Sequence, residues 1–142
     1  MAKRLDGLVA VATGKPVEPE GWPRPRGYAN GMRARGEIVA VAGQIGWDAQ
    51  QRLVAGGFAA QFEQALANVV AVVRAGGGGP EHLVSLTIYV TDRSAYLDAL
   101  ADVGQAYRRV VGKHYPAMAL VIVAGLLEPA ALVEIQALAV LP

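Results

Sequence analysis

Glu134 and Gln136 are the side chains best placed to do chemistry in the last third of this 142-residue chain. They lie two apart inside Ala131–Val140, a run with no other polar side chain. On a strand, residues two apart share a face. A carboxylate inside such a run needs a partner or a task. Two readings stand open: an exposed sheet edge, or the lining of a cleft or interface. In the second, a partly buried Glu134 is expected to serve as general acid or base. Tyr28, Tyr89 and Tyr115 offer hydroxyl or stacking groups, although packing alone explains each. His82 and His114 are isolated in loops, with no second histidine at metal-ligand spacing. Ser85 reads as a strand hydroxyl and Ser94 as a helix cap, so a serine triad has little support. The glycines at 76–79 follow a helix and lack the Gly-Lys-Ser/Thr of a phosphate cradle, so they read as a turn.

The elements that position these residues follow from periodicity. Tyr115–Ala124 and Ala131–Val140 read as two long strands back to back, a hairpin that puts Met118 near Glu134. Glu37–Ile45 is a β-branched run, a good strand. Phe58, Phe62, Leu66, Val69 and Val73 recur at helical spacing, and the glycine run with Pro80 ends that helix. Leu83–Thr91 alternates strictly. Ser85, Thr87, Tyr89 and Thr91 take one face; Val84, Leu86, Ile88 and Val90 take the other. Asp92 or Ser94 caps a second helix. Its buried stripe is Tyr96, Leu100, Val103, Tyr107 and Val110, and Gly112 closes it. A short strand near Leu8–Ala12 and an extended loop over Glu18–Met32 precede all of this.

These elements predict an α+β fold: a duplicated βαβ-like unit with two helices on one face of a mixed sheet. The free face carries small and hydroxyl side chains suited to a second subunit, so a homo-oligomer with sites between subunits is expected. The chain reads as one domain, 1–142, with residues 1–25 as an extended N-terminal segment. Its net charge of +1 gives no strong field for nucleic acid. Residues 1–36 carry seven Lys/Arg and three Asp/Glu, which reads as a solvated basic segment. The chain has no cysteine, which excludes disulfides, cysteine-ligated metal and a cysteine nucleophile. Leu8–Ala12 is too short for a signal-peptide core, and no run reaches transmembrane length without a charge or turn. A cytoplasmic protein is expected.

Taken in order, five pieces resemble the RidA (YjgF) family. They are Gly43-Gln44-Ile45 after a strand, Asn68 in the next helix, Val84–Asp92 as strand then acid, Tyr115-Pro116-Ala117 opening a strand, and Val133-Glu134-Ile135-Gln136-Ala137. The resemblance covers roughly residues 26–141. It implies a chorismate-mutase-like fold and a homotrimer with clefts between subunits. It also implies hydrolysis of reactive enamines and imines to a 2-keto acid and ammonia, without a cofactor. The family's deaminases have Pro-Ala-Arg where this chain has Pro116-Ala117-Met118, and that arginine grips the substrate carboxylate. The cysteine often found two residues later is Leu120, and the helix asparagine falls near Leu100 or Ala101. What carries over is Tyr28, the Gly43-Gln44 turn, and Glu134 as the glutamate that positions water. Gln136 replaces a second glutamate.

Met118, Leu120 and Ile122 suggest an apolar cleft for a larger or less charged ligand than 2-iminopropanoate. Arg24, Arg26, Arg33 and Arg93 are candidates to replace the missing cation. Three functions compete: a divergent imine or enamine deaminase, a non-catalytic trimeric ligand binder, and, ranked last, an RNA endonuclease. The last has no His/Lys cluster or aromatic stacking sheet behind it.

Overall fold

A computed structural model describes residues 11–142. A two-stranded antiparallel ribbon, β1 (Lys15–Val17) with β2 (Gly31–Arg33), precedes a four-stranded sheet. The sheet comprises β3 (Glu37–Ile45), β4 (Leu83–Val90), β5 (Ala117–Ile122) and β6 (Val133–Leu141), in the spatial order β3-β6-β4-β5. The helices are α1 (Gly57–Ala75), α2 (Arg93–Asp98) and α3 (Leu100–Val110). β3 and β4 both run antiparallel to β6, so they are parallel to each other; β4 and β5 pair in parallel directly. The chain therefore makes two βαβ crossovers, and α1 and α3 pack into one hydrophobic cluster with one face of the sheet.

Phe58, Phe62, Leu66, Val69 and Val73 are all buried, as their spacing predicts. Gln61 is buried with them. Its Nε2 donates to the Ala130 carbonyl at 3.2 Å and its Oε1 accepts from the Leu132 N–H at 2.8 Å, tying α1 to the approach to β6. Asn68 Nδ2 donates to the carbonyls of Ile45 and Trp47 and fixes the exit from β3. The helix ends where Gly77 takes φ 100°, while the Gly78 N–H reaches the Val73 carbonyl and the Gly77 N–H that of Arg74. This is the paired C-terminal closure that a glycine in the left-handed region permits.

Five expectations need correction. The closing stretch is not a hairpin: β4 lies between β5 and β6, because β5 completes a parallel crossover from β4. Val84 does not join the buried face of β4. The register slips between Leu83 and Ser85, so Leu83 and Leu86 are buried and Val84 turns toward Met32 and Gly14. The second helix is two helices, broken at Ala99, and Leu100 is 48% exposed. The loop over Glu18–Met32 ends early, since Met32 belongs to β2. Val11 and Ala12 form no strand, and the rest of the strand expected at Leu8–Ala12 lies outside the described residues. Asp92 caps α2, its Oδ1 accepting from the Ala95 N–H at 3.1 Å; Ser94 lies within the helix.

Candidate functional site

The predicted site residues fall into two groups. Glu134 lies on β6, opposite Tyr89 of β4 and Ile45 of β3. It shares the sheet face away from the helices with Gln136, whose Oε1 accepts from the Tyr89 hydroxyl at 3.3 Å. Glu134 is half-buried and has no ion-pair partner among the described residues. Gly43 sits where β3 slips register against β6, between Val41 and Gln44. A methyl group added at Gly43 would collide with the Glu134 carboxylate, so glycine is what lets that carboxylate lie down on the strand. Gln44 Nε2 spans the same irregularity and donates to the Ala42 carbonyl at 3.1 Å.

Tyr28, Tyr115, Met118 and Leu120 gather on the other side of the sheet, around a cleft of about 470 Å³. Met118 pairs with Leu86, a core residue, whereas Glu134 pairs with Tyr89. Leu86 and Tyr89 are three apart on one strand and face opposite ways, so Met118 and Glu134 do too. Two strand spacings, about 10 Å, also separate their strands. Met118 is therefore not the neighbour of Glu134 within one chain. Ile122 shares the alternation of Met118 and Leu120 but does not line the cleft.

The cleft owes its shape to three local structures. The Ala29 N–H donates to the Pro116 carbonyl at 3.0 Å, which draws the proline-rich loop onto the start of β5 and sets Tyr28 near Tyr115. Tyr107 of α3 stacks on Tyr115 with ring centroids 5.3 Å apart and planes 9° from parallel. Its hydroxyl donates to the His114 carbonyl at 2.6 Å. Burial, helped by the neighbouring Tyr115, raises the Tyr107 phenol above its ordinary pKa, so it remains a donor. His114 Nε2 lies 2.7 Å from the Leu83 carbonyl, which binds this loop to β4. Finally, Arg109 of α3 meets Glu63 of α1 through two parallel contacts of 2.9 Å and holds the two helices together. Each charge shifts the other: Glu63 is lowered and Arg109 raised, in both cases chiefly through that hydrogen bond.

Of the arginines considered as replacements, Arg26 lines the cleft. Arg24 lines an adjoining hollow, Arg33 another groove beside β2, and Arg93 lies outside the cleft lining at the start of α2. Arg108 and Gly104 line the cleft as well, and neither is among the residues singled out from the sequence. Their signal is helical spacing: Leu100, Gly104 and Arg108 are successive i+4 neighbours, beside the buried stripe of Val103 and Tyr107. No aspartate or glutamate lines this cleft.

Two helices over one face of a mixed sheet, with a ligand-sized cleft at the β5 edge, define an α+β scaffold of recognisable kind. The chain belongs to the Endoribonuclease L-PSP family, which includes the RidA (YjgF) proteins: the family's pattern matches residues 23–141. It is 34% identical over 130 residues to the 2-iminobutanoate/2-iminopropanoate deaminase of Salmonella typhimurium, covering 89% of this chain and 97% of the relative. Among solved structures, it superposes on the Rid-family protein YyfB of Yersinia pestis with a TM-score of 0.80 at 31% identity, covering 91% and 99% of the two chains. E. coli TdcF, solved with bound serine, gives a TM-score of 0.65 at 29% identity, covering 90% and 99%. No helix among the described residues is long and apolar enough to cross a membrane.

Proposed function

We propose that this protein is a divergent, cofactor-free enamine or imine deaminase that acts on a compound larger or less charged than 2-iminopropanoate. The reading rests above all on Glu134, a half-buried carboxylate without an ion-pair partner among the described residues, held against Gly43. An enamine first takes a proton from water on carbon and gives one up from nitrogen, becoming an imine. Water, oriented through Glu134, adds to the imine carbon; the resulting carbinolamine expels ammonia and leaves a carbonyl. One water is consumed and one ammonia released, so a single carboxylate suffices to take the proton from water and return it to the leaving nitrogen.

Glu134 and the Met118 cleft stand on opposite faces of one sheet, and β3 and β5 are its two edges. We therefore place the working site between copies of a cytoplasmic homotrimer, where the β3 side of one chain faces the β5 edge of the next. Met118 gives no cation for a small carboxylate. Losing such a charge-assisted contact costs about 2–5 kcal/mol, so turnover of 2-iminopropanoate should be slower by about 30-fold to several thousandfold.

Ammonia release is the direct test, from freshly generated 2-aminoacrylate and from the enamine of an amino acid with a larger side chain. The larger enamine should turn over, with little release from 2-aminoacrylate. Glu134→Gln should lower the rate by about 10²–10⁴. A 2-aminoacrylate rate equal to that of the Salmonella deaminase would sink the substrate assignment, and an unaffected Glu134→Gln variant would sink the role of Glu134. The second reading is a non-catalytic ligand binder. It is favoured by Leu100, Met118 and Leu120, which give the cleft an apolar wall. Saturable binding without turnover in either protein would support it.

A further inference from the structure

Gly104 is hard to explain by packing. It lies inside α3, where glycine is destabilising by roughly 1 kcal/mol relative to alanine. No close approach requires it, because an added Cβ would meet nothing within 4 Å. What the missing side chain leaves is room, and that room opens into the cleft at the β5 edge. Leu100 stands one turn before the notch and Arg108 one turn after it.

The charges of the cleft are one-sided. Arg108 comes from α3 and Arg26 from the proline-rich loop, so two independent elements each bring an arginine to the lining of the same opening. Neither arginine has an ion-pair partner among the described residues, and the lining contains no carboxylate. Between them the walls are apolar or aromatic: Phe62, Ile88, Tyr96, Met118 and Leu120. A ligand that satisfies this lining needs an anionic end for the arginines and an apolar body that fills the notch.

We propose that the cleft binds a carboxylate bearing an aromatic group, with Arg26 and Arg108 gripping the carboxylate and Gly104 supplying the space for the ring. Arg108 and Arg26 thus serve, from other elements, a carboxylate whose ring also fills the notch, while a small carboxylate that leaves the notch empty still lacks a cation at Met118. This assignment names the substrate class of the deaminase reading above, and its test needs no turnover.

The test titrates the full-length protein with unreactive probes by calorimetry. Phenylacetate should bind saturably. Acetate, which lacks the ring, and phenylacetamide, which lacks the charge, should bind at least about tenfold more weakly. Arg108→Gln and Arg26→Gln should each weaken phenylacetate by about tenfold or more and leave phenylacetamide unchanged. Gly104→Leu should abolish phenylacetate binding while its thermal midpoint matches or exceeds the parent's, since leucine is a better helix former. Gly104→Ala should weaken binding less. Equal binding of all three probes, or undiminished binding by Gly104→Leu, would overturn the proposal. So would a lower native mass for Gly104→Leu, which would mean that another copy fills the notch. Phenylacetate binding without any imine turnover defeats only the deaminase reading; turnover without phenylacetate binding defeats only this one.

Discussion

The two faces of the sheet do different work. On the helix side, Leu66, Leu83, Leu86 and Ile135 are almost wholly removed from water and join one contiguous cluster with α1 and α3. On the other side, Thr87, Tyr89, Glu134 and Gln136 form a ladder of polar groups, with Ala40, Ala42 and Leu138 beside it. The helix face carries the energy of folding, and its outer edge opens into the cleft. The open face carries the carboxylate and is partly exposed to water. A fold that keeps cohesion on one face can vary the other, and can vary the rim of the cleft, without risking the core.

That contrast makes its largest prediction in stability. Leu66→Ala should lower unfolding free energy by about 2–5 kcal/mol, because a fully buried leucine leaves a cavity that close packing refills poorly. The loss relative to the parent should be the same at every protein concentration. Thr87→Arg places a charge in the middle of the open face and touches none of that core. Its thermal midpoint should lie well below the parent's at high concentration, and the two should converge as both are diluted a hundredfold or so, since association contributes to stability by mass action. Parallel midpoints for Thr87→Arg and the parent at all dilutions would show that this face does not lie between copies.

Legibility in the sequence followed the same division. The apolar spacing of α1 and the alternation of Leu86, Ile88 and Val90 are local signals of burial, and the structure matches them. Which strands pair is not local. Tyr115–Ala124 and Ala131–Val140 are neighbours in sequence, yet β4 inserts between them because the crossover through α3 returns β5 to the far side of β4. Val84 misleads for a related reason: a one-residue slip leaves the sequence alternation unaltered and turns the side chain away. The polar half of the cleft was hidden differently. Arg108 reads as an ordinary exposed charge on α3 until Arg26, 82 residues earlier, reaches the same opening. Gly104 reads as a weak spot in a helix until the space beside it is known.

A smaller effect is expected at the seam between core and cleft. Tyr107→Phe removes one hydroxyl and keeps the ring, so the stack on Tyr115 survives while the His114 carbonyl loses its donor. The cost should be about 1 kcal/mol, the usual net worth of such a bond. Because His114 also anchors the loop to Leu83, phenylacetate affinity should drop while secondary structure, read by circular dichroism, stays unchanged. A variant as stable as the parent would mean that water replaces the hydroxyl and that the seam is wetter than its burial implies.

The smallest effect lies at the outer clamp between α1 and α3, and its size depends on pH. Arg109 lowers the carboxyl pKa of Glu63 in the folded state, through the side-chain hydrogen bond first and charge second. A carboxyl whose folded pKa is depressed contributes stability above its unfolded pKa and loses it as pH falls through the folded value. Arg109 is shifted upward and stays charged throughout this range. Glu63→Gln should therefore lower the thermal midpoint at pH 7 by a degree or two, roughly. Acidification below the ordinary carboxylate range should bring parent and variant together. Because both side chains reach water, the gap at pH 7 should also shrink in strong salt. A pH-independent gap would assign the clamp to packing of the arginine stem along the helix, not to charge.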